Sequence, residues 1–221
     1  MLFAHDPAEW FRGERREQAV LDLERYFMEY TGSRFEVLAD RATPYAFTSR
    51  DFLAVSMLGV DVPARAAIWI LEDGAADIAQ LLKRIPPSQR IGDDRVDFSS
   101  SGPARQLWTL LRSNAWNSAA GGKSGLGPTK LSKLLAAKRP ELFPVYDQHI
   151  ASALLSGPEQ SDWDAWQDRF SGSEGATLRR ECEALRDEAG LGSEVPVLRI
   201  LDVVIWMERH GRDYQVAPAA V

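Results

Sequence analysis

GLGPTKLSKLLAAKRPELFPVYDQHI, residues 125–150, is the stretch on which the reading of the fold turns. Two glycines flank Leu126, and Pro128 follows, a residue suited to a first helical position because its missing N–H is unneeded there. Leu131, Leu134 and Leu135 then recur at helical spacing and define one apolar face, with Lys130, Lys133 and Lys138 off that stripe. Pro140 stops the helix, Pro144 shapes the next turn, and Asp147 stands where a further helix would begin. Glycine permits positive φ and close backbone approach. The first N–H groups of a helix lack intrahelical partners and sit at its positive end, so a Gly-x-Gly turn feeding a lysine-bearing helix suits a phosphate.

Outward from this segment the chain reads as helix after helix. Residues 6–30 predict one long helix with Val20, Leu23, Phe27 and Tyr30 on a face, and Gly32 to end it. Residues 33–44 read as irregular, with a short extended piece at 35–38. Thr48 and Ser49 cap a helix closed by Gly59; others open at Pro63, Ala75 and Pro103. Residues 87–101 are turn-rich, and 117–124 form a small-residue loop. Two acidic helices are expected at 161–170 and 174–189, and a last one at 196–209 with Val197, Ile200, Leu201, Val204 and Ile205 facing the core. No strand series appears, so the class is all-α, with nine or ten helices.

The totals narrow the function. One cysteine, Cys182, excludes a disulfide framework and a cysteine-held iron–sulfur cluster. Three scattered histidines, His5, His149 and His210, argue against a zinc site, and no metal or cofactor is expected. Without a signal peptide or a membrane-length apolar run, the expected location is the cytoplasm. The net charge is −6, yet residues 98–140 carry seven basic residues (Arg105, Arg112, Lys123, Lys130, Lys133, Lys138, Arg139) and no acidic one. The remainder holds 26 − 7 = 19 basic against 32 acidic residues, or −13. A basic segment in an acidic body is the footprint of a phosphate-binding face or, equally, a solvated surface. Gly121-Gly122-Lys123-Ser124 fails as a nucleotide-binding loop: Asn117 stands where the pattern needs glycine, and Pro128 and its neighbouring glycines forbid a helix directly after Ser124.

With Gly125-Leu126-Gly127 and Asp147-Gln148-His149-Ile150 at this separation, the segment resembles the helix-hairpin-helix DNA glycosylase (endonuclease III-like) superfamily. The resemblance points to a bacterial branch of unknown function rather than to a characterised enzyme. Weaker similarity runs from about residue 45 to 212. It implies a two-lobed all-α domain over 1–221: an N-terminal helix and irregular segment (1–44), a first lobe (45–116), the loop, hairpin and Asp-bearing helix (117–157), and C-terminal helices (158–221). It implies DNA as partner, through its phosphates, with Lys123, Gly125, Leu126, Gly127, Thr129, Lys130 and Lys133 as contacts. It assigns Asp147 the carboxylate that would oppose sugar cation character in N-glycosidic cleavage; from its position alone Asp147 is an N-cap. Thr129 occupies the place of the superfamily's Schiff-base lysine. Lys130, one residue on, is rotated by about 100° around a helix. The turn Leu58-Gly59-Val60-Asp61 lacks the superfamily's glutamine. These departures favour a DNA-binding protein without catalysis or with divergent chemistry; the retained Asp147 favours a monofunctional glycosylase acting on a flipped, modified base.

Overall fold

The computed structural model describes residues 7–113, 125–146 and 163–211. Among these residues there are ten α-helices and no strand. They are α1 (Glu14–Glu29), α2 (Phe35–Leu38), α3 (Ser49–Met57), α4 (Ala64–Leu71), α5 (Ala75–Lys83), α6 (Pro103–Arg112), α7 (Pro128–Lys138), α8 (Trp163–Phe170), α9 (Gly172–Glu188) and α10 (Val197–Trp206). A 3₁₀ turn over Pro7–Phe11 precedes α1, and a π-helical turn over Met207–Gly211 follows α10. The all-helical expectation therefore holds. None of these helices is long and apolar enough to cross a membrane.

Two local expectations are corrected. The first helix is broken, because Gly13 takes φ 55°, outside helical space, and α1 starts only after it. Residues 35–38 are helical rather than extended. An isolated extended piece would leave its backbone polar groups without a ladder, whereas one helical turn closes its own, with Ala39 N–H on Phe35 O at 3.0 Å. The same turn buries Phe35 and leaves Val37 outside. At α3 the expected cap is present: the Asp51 carboxylate accepts the Thr48 N–H at 2.8 Å.

Helices distant in sequence come together. α1 packs on α9 and α10, so the amino-terminal part of the chain meets its last helices. α7 packs on α3 and α6, and α3 also on α2. As expected, Leu131, Leu134 and Leu135 are inaccessible. The helix is not one-sided, however: every residue from Leu131 to Lys138 is buried, lysines included. α7 is thus a central helix, and its cations must find partners inside.

Candidate functional site

The hairpin residues divide cleanly between solvent and core. Gly125 is exposed with φ 72°, where only glycine sits without strain, and a Cβ there would lie 2.9 Å from Pro63 Cγ. Leu126 is 1 % exposed and joins the core, while Gly127 is exposed again and leads into α7. The N-cap of α7 is Gly127, which has no side chain to cap it, so the first N–H groups of the helix have no partner within it. Thr129 and Lys130 are half-buried on this first turn. Lys123 and Asp147, with His149, lie outside the described residues.

One turn deeper the picture reverses. The expectation that Lys133 contacts phosphate meets a lysine only 4 % exposed, whose Nζ donates to Leu58 O at 2.9 Å. Leu58 is the C-cap of α3, so the ammonium sits at a helix carboxyl end, where partial negative charge gathers. Lys138 Nζ lies 2.6 Å from Asp51 Oδ2 with both side chains fully buried, and donates to Asp40 O at 2.7 Å and Thr43 O at 3.2 Å. Arg139 spreads its fork over four carbonyls: Ile85 at 2.7 Å, and Pro44, Leu82 and Lys138 at 2.8 Å. Burial pushes this guanidinium down to about 10, still cationic at neutral pH. Three of the seven cations that made residues 98–140 look like a basic face are therefore internal. Of the others, Arg105 lies 4.6 Å over the Trp163 ring and Arg112 is exposed.

The buried side of α7 borders a cavity of about 200 Å³. Lys133 and Val145 form one wall, and Met57, Leu58 and Gly59 a second. The third wall is aromatic. Tyr26 and Tyr30 stack at 5.4 Å, and Trp206 meets both edge-on, at 5.9 and 5.5 Å. Arg199 and Asp202 of α10 complete it. The size suits a single ring system rather than a drug-sized ligand. Gly32 has no Cβ because Tyr26 Oη occupies that place: an added Cβ would stand 1.9 Å from it. Ser132 ties the next stretch of chain to α7, its Oγ accepting the Tyr146 N–H at 2.9 Å. Val145 on the cavity wall precedes Asp147 by two residues in the chain.

Behind the aromatic wall Arg199 is 5 % exposed and organises a polar cluster. It donates to Asp202 and to Tyr26 Oη, and to Gly32 O at 3.4 Å, and its Nε lies 3.0 Å from Glu36 Oε1. Burial opposes the charge on Arg199, but Tyr26, Asp202 and Glu36 outweigh it and hold the guanidinium ionised. Burial pushes the Tyr26 hydroxyl up to about 12, against the pull of Arg199.

Tyr26, Tyr30, Glu36, Arg199, Asp202 and Trp206 are not singled out by sequence as a site. One signal was present. Val197–Trp206 is apolar except for Arg199 and Asp202, opposite charges three residues apart on a helix with no polar face. Such a pair is expensive to bury unless it has partners. Among the described residues no group of three His, Cys, Asp or Glu side chains gathers in the manner of a metal site.

The molecule is thus an all-helical protein with a glycine turn at one end of its central helix and an aromatic-walled cavity beside the next turns. The chain belongs to a family of unknown function, DUF6308, whose model matches residues 19–209. No curated protein and no solved structure matches it.

Proposed function

We propose that the protein binds DNA through the Gly125–Gly127 turn, as a divergent helix-hairpin-helix protein of the glycosylase-like type. The observation that carries this reading is the turn itself: Gly125 and Gly127 exposed, Leu126 anchored in the core, and glycine as the N-cap of α7. Such a terminus offers N–H donors and a positive dipole end to a phosphate. Lys130 on the same turn supplies a charge; Lys133 serves the interior instead. Binding of this kind is sequence-independent and falls steeply with salt. Fluorescence anisotropy with a labelled duplex at low salt tests it, and absence of any binding there ends the proposal.

A second reading, a monofunctional DNA glycosylase, is favoured by the cavity. Its aromatic wall suits a planar base, and Val145 in its lining stands two residues before Asp147 in the chain. Here Asp147 would stabilise the developing sugar cation. Asp147→Asn separates this from capping, because asparagine caps a helix about as well as aspartate. With a panel of damaged-base duplexes, the catalytic role requires that base release fall by orders of magnitude in the folded Asn variant. Undiminished release would remove Asp147 from the chemistry.

A further inference from the structure

Arg199 is shared between two spaces. On one side it holds Tyr26, Asp202 and the Gly32 carbonyl, all on the wall of the aromatic cavity. On the other, Arg199 and Glu36 line a void of about 10 Å³ between Phe35, Phe143 and Pro196. That is roughly the space one water needs. Both Glu36 oxygens are buried without an aligned hydrogen bond, and so is Arg199 Nε. Their 3.0 Å contact is an ion pair held by charge, not by a well-directed hydrogen bond. A buried carboxylate in that condition retains the desolvation cost that hydrogen bonds would offset. Taking up a proton removes it.

We propose that Glu36 is a proton-binding switch beneath the aromatic cavity. Ionised, it holds Arg199 Nε and shares the guanidinium with the cavity wall. When a proton from solvent adds to a Glu36 oxygen, one O–H bond forms and no other bond changes. Arg199 then belongs to Asp202, Tyr26 and the Gly32 carbonyl on the cavity wall, and the wall becomes more positive by one charge. The new O–H can donate into the water-sized void. The ionisable groups acting on Glu36 are Arg199 and Arg41, and Tyr26 feels its charge in turn. Arg41 donates to Glu194 O at 2.8 Å, while its Nε and Nη2 are buried without an acceptor. Burial raises the Glu36 carboxyl above its ordinary 4.5, and Arg199, the local backbone N–H and Arg41 only partly offset this. Tyr26, pushed up to about 12, stays neutral through that range. The inference stands independently of DNA binding.

Trp206 reports on the switch, since its ring meets Tyr26 edge-on at 5.9 Å. The experiment is intrinsic tryptophan fluorescence across the whole pH range over which the protein stays folded, because burial displaces the Glu36 carboxyl upward. Wild type, Glu36→Gln and Trp206→Phe are compared, with circular dichroism as the check on folding. The part of the signal lost in Trp206→Phe should titrate as a single proton with a midpoint above 4.5, and that titration should vanish in Glu36→Gln. If Glu36→Gln does not fold, Glu36→Asp decides: with its carboxyl withdrawn from Arg199, the midpoint must move. A Trp206 signal flat in wild type, a titration retained in Glu36→Gln, or an unmoved midpoint in Glu36→Asp each overturns the proposal.

Discussion

The two ends of α7 use the same residue type in opposite ways. At the amino end, Lys130 is half-buried on a helix terminus whose N-cap is the exposed Gly127, with Gly125 exposed beside it. From Leu131 onward the helix is surrounded, and Lys133, Lys138 and Arg139 turn their charges onto carbonyls and one carboxylate from residues 40–85. A lysine is therefore defined by what lies at the end of its stem, not by its place in a charge count. In the buried half, each cation meets carbonyl oxygens at a helix end or turn, where intrahelical donors run out. These contacts fasten α7 to the segment before it. Of α7 itself, only the first turn, Pro128 to Lys130, is left part-exposed.

The largest effect should come from the innermost pair. Lys138→Met leaves the Asp51 carboxylate buried without its cation and should cost about 3–5 kcal/mol. Asp51 also accepts the Asp40 N–H at 3.0 Å and the Thr48 N–H, so it cannot simply turn away. Asp51→Asn in the Lys138→Met background removes the stranded charge and should restore part of the loss. Urea unfolding across the double-mutant cycle measures the coupling. Additive losses would mean that the pair is not a unit.

Next comes Arg139. Arg139→Met strips donors from four carbonyls, two of them, Leu82 and Ile85, at the end of α5. At about 1–3 kcal/mol for a polar group left dry, with the Pro44 bond only part-buried and the site free to relax, the net expectation is about 2–3 kcal/mol. Arg139→Lys should recover less than half, because an ammonium cannot span the fork that reaches Ile85, Pro44 and Leu82 together. Full recovery by lysine would show that charge alone matters here.

Much of this scaffold is legible in the sequence, for a reason that also marks the limit. Caps, helix starts at proline and apolar periodicity are local, so Thr48, Pro103, Pro128 and the leucines of α7 announce themselves. Partners of a buried lysine are not local. Lys138 reaches Asp40 across 98 positions, and no spacing within α7 distinguishes it from a solvated lysine. The cavity is harder still. Its aromatic wall joins α1 to α10, and only Arg199 and Asp202, out of place in an apolar helix, hint at it. Gly13 and residues 35–38 escape a periodic pattern because a break is decided by one backbone angle and a single turn by its own hydrogen bond and the burial of Phe35.

The smallest effect on stability, and the sharpest contrast, lies between neighbours one turn apart. Lys133→Met removes the cation at the end of α3 and should cost about 1–2 kcal/mol, the range for a partly buried charge at a helix carboxyl terminus. Lys130→Ala touches only the half-buried first turn and should stay within about 0.5 kcal/mol. For DNA the order inverts. Lys130→Ala should weaken binding on all duplexes alike and reduce the salt slope by about one, since one phosphate contact is lost. Lys133→Met should leave that slope unchanged, because its ammonium is already committed to Leu58 O. Thermal unfolding and anisotropy at several salt concentrations, on the two variants in parallel, read both quantities. If Lys133→Met flattens the salt slope as much as Lys130→Ala, the division of α7 into an outward turn and an inward body does not describe how it meets DNA.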